Sequence, residues 1–317
     1  MGIRLLNSFI NSSKSSGIRE ISLQELAGKK VVVDASIYMY RFKASGCLVE
    51  SLFLMCSVFR AHNIHALFIF DGQPPSHKQA IVEERRRSKE RAEAKRLSLL
   101  KKLEEEEEEM ARAALKREIA RTTKKCARLS RQDILAAKEL LCSCGLGCLQ
   151  ALGEADEVCA AMVIQGHAYA CISEDTDMFV YGCSRVIKYL SLTRHTAMLY
   201  HLDTLLNDLD LSFTRFRELC AFSGTDYYKT NYSIFDLYGY FRDYERSGDG
   251  GDIAKWLSER LGGEWPNLQN ILAHYCIDDV LSPYKYRIIR NGEIDHSRLR
   301  PVLEDARFVF EPCSRPP

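Results

Sequence analysis

Seven acidic residues, Asp34, Asp71, Glu154, Asp156, Asp175, Asp177 and Asp226, each stand where an apolar run ends or a helix is expected to begin. Distant stretches of chain can therefore deliver carboxylates to one point. Lys29-Lys30-Val31-Val32-Val33 runs into Asp34, and Ala66-Leu67-Phe68-Ile69-Phe70 runs into Asp71; both read as buried strands with the acid at the carboxyl end. Open α/β sheets hold their ligands at that end. Asp175 and Asp177, two residues apart at a strand exit, can face one pocket while Thr176 turns away. Glu154 and Asp156, in the first turn of an expected helix, splay apart and can serve two different ions. Taken singly, these two have an ordinary explanation in the helix macrodipole; the joint pattern is what argues for a site. Carboxylates at close range raise one another's pKa, and a hard divalent cation, Mg²⁺ or Mn²⁺, supplies the missing positive charge. Two such ions ~3.5–4 Å apart activate a water and stabilise the leaving oxygen of an in-line displacement at phosphorus. Hydrolysis of a phosphodiester is the reaction that fits.

Composition limits the alternatives. The chain has 317 residues, 46% of them hydrophobic, enough for a large core. No stretch is apolar for the length of a membrane span, the N-terminal one being broken by Asn7, Ser8 and Asn11, and no signal-peptide core is visible. An intracellular protein is expected, nuclear in a cellular setting, or cytoplasmic if it serves a DNA virus that replicates there. Most of the twelve cysteines lie in apolar contexts such as Leu54-Met55-Cys56 and Ala170-Cys171-Ile172, as buried free thiols do. Cys142-Ser-Cys144-Gly-Leu-Gly-Cys148 lacks the paired C-x₂-C spacing of a zinc site. The net charge of +1 conceals a segregation: Lys78 to Arg128 holds 17 Lys and Arg against 11 Glu, and the remainder is acidic. A basic insert on an acidic body suits a polyanionic substrate brought to a metal site.

The elements that must position the acids follow from periodicity. Strands are expected at 29–34, 66–71, 148–151, 168–172, 186–190 and 197–201. Helices are expected at 48–62, 132–141, 154–166, 203–207 and 213–222. The first strand, helix and second strand form a parallel unit. Gly72-Gln73-Pro74-Pro75 marks a boundary, after which Ile81 to Arg128 contains neither Gly nor Pro. One helix of that length would reach ~75 Å, so at least two are expected, with the break near Glu104–Glu109 or near Thr122-Thr123. Few apolar residues follow Leu103, which favours an element ordered by substrate over a packed coiled coil.

In this order and spacing the motifs are specific. Val33-Asp34-Ala35-Ser36, Phe70-Asp71-Gly72-Gln73-Pro74-Pro75, Arg91-Ala92-Glu93-Ala94, Gly153-Glu154-Ala155-Asp156, Glu174-Asp175-Thr176-Asp177 and Ser223-Gly224-Thr225-Asp226, with the N-terminal Met1-Gly2-Ile3, recur along two-thirds of the chain. The sequence resembles the flap endonuclease and xeroderma-pigmentosum-G-like family of structure-specific 5′ nucleases. That resemblance implies a PIN-like three-layer α/β/α fold with a mostly parallel central sheet, a helical arch insert and a helical C-terminal region. It implies a nuclease core over 1–226, with the arch at 72–128, and a divergent segment over 227–317. It makes all seven acids ligands of two Mg²⁺ ions, direct or through water, Asp156 standing where the family usually has glutamate. Lys78 and Arg87 match the arch cations that approach the scissile phosphate. Tyr40 matches an aromatic that stacks on a base, although a tyrosine in Ile37-Tyr38-Met39-Tyr40 fits a core position equally well. Gly2 matches a terminus that approaches DNA closely. The implied partner is DNA with a 5′ single-stranded flap, end or nick, acted on by a monomer in replication, repair or recombination.

Beyond Asp226 the likeness fades. The family's helix–two-turn–helix element carries a Gly-x-Gly hairpin, and Tyr227 to Asp236 lacks it. Duplex binding is expected to be reduced or rebuilt from residues such as Lys229, Asn231 and Tyr232, while the tyrosines through Tyr244 are expected to pack as core. No sliding-clamp motif is recognisable in Pro312 to Pro317. A catalytically weak junction-binding protein would show lost ligands, and all seven are present. A haloacid-dehalogenase-like phosphatase built on Asp175 and Asp177 would want a small hydroxyl residue at position 179, where Phe179 stands.

Overall fold

A computed structural model describes residues 3–74, 78–225, 228–248, 251–263, 265–284 and 289–308. The chain enters through α1 (Leu6–Ser12) and strand β1 (Ile18–Ser22), neither of which the periodicity revealed, and then β2 (Lys30–Asp34). Asp34 ends β2 and caps α2 (Ala35–Ser45), its Oδ1 accepting the amides of Ser36 at 3.1 Å and Ile37 at 3.4 Å. Gly46, at φ +80°, stops α2, so two helices rather than one separate the first parallel strands. α3 (Leu48–Ala61) leads to β3 (His65–Phe70), and the hairpin of α4 (Gln79–Glu105) and α5 (Glu109–Cys126) follows. Next come α6 (Arg131–Ser143), β4 (Gly147–Gln150), α7 (Ala155–Ile164), β5 (Ala170–Ile172), α8 (Asp177–Tyr181), β6 (Arg185–Ser191) and β7 (Thr196–His201). Helices α9 (Leu202–Asp208), α10 (Phe213–Phe222), α11 (Ile234–Ser247), α12 (Ile253–Leu261), α13 (Leu268–Leu272) and α14 (His296–Asp305) complete the described chain.

The sheet runs β1-β7-β6-β5-β2-β3-β4. Strands β6, β5, β2, β3 and β4 pair in parallel, and β7 and β1 add an antiparallel edge. Val31, Val32 and Val33 are all fully buried, because helices cover both faces and leave the strand no polar side. Val32, Ile69, Cys171 and Val186 pack with α1 and α7 to α12 on one face, and Val31, Val33, Phe68 and Ile172 with α2, α3, α6 and α14 on the other. This is the expected three-layer α/β/α arrangement. From β2 the chain winds outward through β3 and β4, returns to β5 beside β2, and winds outward the other way. The strand order therefore reverses between β2 and β5, where the carboxyl ends of α/β sheets part to form a crevice.

The insert breaks at Glu106–Glu108 and not at Thr122-Thr123, which lie inside α5. Six consecutive glutamates repel along one helix, and Arg112 Nη1 holds the turn by donating to the carbonyls of Leu103 at 2.9 Å and Glu106 at 2.6 Å. The two helices pack along each other, burying Leu99 and Thr122, with Lys95 paired to Glu118 at 2.7 Å. At 1.5 Å per residue α4 alone projects ~40 Å. Of the described tyrosines from 228 to 244, Tyr244 is buried against Trp256 as expected, while Tyr228, Tyr232, Tyr238 and Tyr240 are half-buried against the core, Tyr232 stacking on Trp265. The cysteine triplet splits, Cys142 lying beside Cys148 and Cys144 beside Cys56, so the three thiols do not converge.

One crossing sets the geometry of the next subsection. The Gly72 amide donates to the Gly153 carbonyl at 2.7 Å and Gln73 to that of Leu152 at 3.0 Å, so the exit of β3 lies against the entry to α7. A Cβ on Gly72 would stand 2.2 Å from the Ala151 oxygen. Gly72→Ala is expected to destabilise the fold by on the order of 2 kcal/mol through overpacking, read as a lower urea midpoint; an unchanged midpoint would show that the two segments separate freely.

Candidate active site

Asp34 leaves the centre of the sheet at the reversal point and is 5% exposed. Beside it, β5 delivers Ser173, whose hydroxyl donates to Asp34 Oδ2 at 3.4 Å and accepts the Asp175 amide at 3.1 Å. The next turn is fixed in the same way, the Asp177 amide donating to Asp175 Oδ1 at 3.1 Å. Thr176 is buried, so it turns away as the spacing predicts. From the other side comes Asp71, one residue past β3. Its Oδ1 accepts the Ala155 amide at 2.9 Å, the first of α7, while Gln150 Nε2 holds its carbonyl. Asp71 thus caps the helix that Glu154 and Asp156 flank. Glu154 makes no capping bond, so its carboxylate is left to other partners.

These groups feel one another. Asp34 is pushed up to about 7, by burial first and then by the charges of Asp71 and Asp175. Asp156 is raised well above the usual carboxylate range by burial, then by Glu154, Asp175 and Asp34. Glu157 is raised by burial and by Glu154. Lys78, just ahead of α4, answers part of this charge by pairing with Glu154, its side chain only 12% exposed. Five of the seven acids, Asp34, Asp71, Glu154, Asp156 and Asp175, therefore feel one another's charge at the reversal point, while Asp177 is tied to them by its main-chain amide and its carboxylate charge reaches Tyr181 together with those of Asp156 and Glu154. The seventh, Asp226, lies outside the described residues, as does Gly2. Among the described residues no three acids, cysteines or histidines stand close enough to share one ion. The donor set is all oxygen and electrostatically strained, which is what a hard divalent cation relieves.

The other expected site residues fall into two groups. Tyr40 is open at 38% exposure, whereas Tyr38, two positions earlier on α2, is core. Lys89 of α4 places its ammonium 4.3 Å from the Tyr40 ring, and partial burial, followed by the charge of Asp71, raises the phenol. Arg87 instead points to solvent and pairs with Glu83 within α4. Lys229 and Asn231 are exposed on the segment between α10 and α11. Among the described contacts none joins Arg87, Lys229 or Asn231 to the carboxylates. Sequence reasoning missed Ser173, Gln150, Lys89 and Lys188. Of these only Lys188 carried a signal, a cation within the apolar run Val186-Ile187-Lys188-Tyr189-Leu190.

The XPG N-terminal domain matches residues 1–94 and the XPG I-region residues 145–226, so the matched regions hold all seven acids and Lys78. Flap endonuclease 1 of Drosophila willistoni is 31% identical over 279 residues, covering 81% of this chain and 69% of that protein. The chain belongs to the flap endonuclease and XPG nuclease family. Flap endonuclease 1 of Theileria parva is also 31% identical, over 96% of this chain and 62% of its own length. The chain thus spans about three-fifths of several full-length family members that it matches. The catalytic core of Rad2 in complex with DNA substrate shares the fold, with a TM-score of 0.64 at 18% identity over 96% of this chain and 95% of that one. The fold is the PIN-like one of this family. Residues 95–144, most of the hairpin and all of α6, lie between the two matched regions.

The raised Asp34 pKa has a definite sign. Its folded value exceeds the unfolded one, so its contribution to stability is complete below about pH 4 and is lost as pH rises through about 7. Asp34→Asn is therefore expected to be more stable than the parent at pH 8 in EDTA, by on the order of 2–4 kcal/mol, with the difference vanishing near pH 4. Urea melts across that range test this; a difference independent of pH would contradict it.

Proposed function

We propose that the chain is a divalent-metal-dependent 5′ nuclease that hydrolyses phosphodiester bonds of 5′-flap, 5′-tailed, nicked or gapped DNA. The observation that carries this is the gathering of Asp34, Asp71, Glu154, Asp156 and Asp175, with Asp177 next in the chain, at the reversal point of the sheet, beneath the root of a basic helical hairpin. These six and Asp226 would hold two Mg²⁺ ions, directly or through water, with Mn²⁺ able to substitute. When bound, the ions supply an activated water and neutralise charge on the leaving oxygen.

The chain's own groups have separable tasks. Ser173, the α2 amides and the Ala155 amide aim Asp34 and Asp71, so those carboxylates need little rearrangement. Lys78 holds an ammonium at the pocket's edge, placed to meet a scissile phosphate once Glu154 turns to a metal. The hairpin of α4 and α5 serves as the arch for a 5′ single strand, with Arg87 on its open face as a further phosphate contact. Tyr40 offers a ring at the foot of that arch, where base stacking contributes ~1–3 kcal/mol. Gly2, Lys229 and Asn231 would face the duplex. The segment between α10 and α11, without the family's glycines, holds that duplex less firmly, and the chain acts as a monomer.

Matched single-stranded, 5′-flap, nicked and gapped DNAs incubated with Mg²⁺ test the proposal. The flap substrate is expected to be cut fastest, and Asp175→Ala to slow cutting by roughly a hundredfold or more. No cleavage of any substrate, or equal rates for the variant, would overturn it.

A further inference from the structure

Lys188 is the one lysine among the described residues that is fully buried, at 1% exposure, in strand β6. A buried ammonium is expensive unless polar groups or charges answer it. Its Nζ donates to the main-chain carbonyl of Glu174 at 3.0 Å and lies 5.8 Å and 6.0 Å from the rings of Phe179 and Tyr189. The Glu174 carbonyl belongs to the peptide that leads into Asp175, so this bond fixes the plane from which that carboxylate departs. The same residue is held twice more. The Tyr189 amide donates to Glu174 Oε1 at 2.9 Å, and Arg41 Nη1 lies 3.8 Å from it. Tyr189 adopts φ +53° where the register of β6 against β7 shifts, a conformation unusual for a tyrosine, and it turns the strand's amide toward Glu174.

A methionine or leucine at 188 would fill the same volume with no desolvation penalty, and such replacements of buried ions are often neutral or stabilising. Retaining a lysine there calls for a task other than packing. We propose that Lys188 is a positioning residue for the metal-binding loop: it anchors the Glu174–Asp175 peptide from beneath and so sets the direction of Asp175 and Asp177. This rests on the assignment of those two aspartates as divalent-metal ligands. Loss of the charge alone and loss of the anchor have opposite signs. Removing one cation beside the acids favours a bound cation, whereas releasing the loop disfavours it.

The test is Mn²⁺ binding to the full chain without DNA, followed by the paramagnetic resonance of the free ion, alongside thermal melting in EDTA. Lys188→Met is expected to weaken Mn²⁺ binding about tenfold, in the range seen when a group supporting a metal ligand is lost, while its melting temperature stays level or rises. Lys188→Arg, which keeps donor and charge, is expected to remain within about threefold of the parent. Unchanged or tighter binding by Lys188→Met overturns the positioning role, as does a loss in the arginine variant equal to that in methionine. A lower melting temperature with unaltered Mn²⁺ affinity assigns Lys188 to stability alone and overturns it too. Failure of the parent protein to bind Mn²⁺ removes the metal site itself, and this inference with it.

Discussion

Burial of several carboxylates close together at the centre of the sheet is the constraint on which the rest of this structure is arranged. Asp34 is carried into the crevice by an apolar strand with no freedom to withdraw, and Asp71 and Asp175 follow on its two neighbours. Burial first, and then the charge of each neighbour, raises the cost of ionising them, which is why Asp34 and Asp156 sit so far above the ordinary carboxylate range. The fold answers with donors. Amides of α2 and α7, the Ser173 hydroxyl, Lys78 from outside and Lys188 from below all bear on the acids or on the loop that carries them. They leave the carboxylates aimed and still short of positive charge, which a bound divalent ion would supply.

The hairpin inherits its position from the same place. Gly72 lets the exit of β3 lie directly on the entry to α7, so the chain leaves the sheet at its carboxyl edge, beside the acids, before it begins α4. Lys78 stands at the hairpin's root and Lys89 lies over Tyr40, so the cations of α4 line the approach to the acids. At the other end, residues 291–305 return across the back of the sheet. Gly292 and Asp295 donate to the carbonyls of Gly145 and Ser143, and Arg298 pairs with Glu139 of α6. The last described helix therefore braces α6, behind the strands that carry Asp34 and Asp71.

Much of this was legible in the sequence because strands buried on both faces have a simple signature. Val31-Val32-Val33 and the apolar run ending at Phe70 declared both their structure and the acids they deliver. The glutamate run declared the break in the hairpin, since like charges oppose helix continuation. Other parts left little trace. The short α1 and the edge strand β1, with its mixed burial, lack a full period of either kind. Gly46 separates α2 from α3 where composition alone does not ask for a stop. Within the site, the acids were legible because their types and places are unusual, whereas Ser173, Gln150 and Lys89 are ordinary residues whose roles come from contacts more than seventy positions away or across helices. Tyr38 and Tyr40 were equivalent on paper, and only the facing of α2 told them apart. Arg87 matched a motif yet points away from the acids, because its glutamate partner lies one helical turn earlier on the same face.

The central claim is that the gathered carboxylates form a divalent-ion site, closing on the ions from the positions in which the fold holds them. Anomalous diffraction from crystals of the chain grown with Mn²⁺ tests it most directly. The account predicts manganese peaks at ~2.0–2.2 Å from carboxylate oxygens of Asp34, Asp71 or Asp175, the range expected for hard ions of this size, with Lys78 drawn away from Glu154. Peaks elsewhere on the molecule, or none at concentrations where Mn²⁺ saturates the protein in solution, would contradict it.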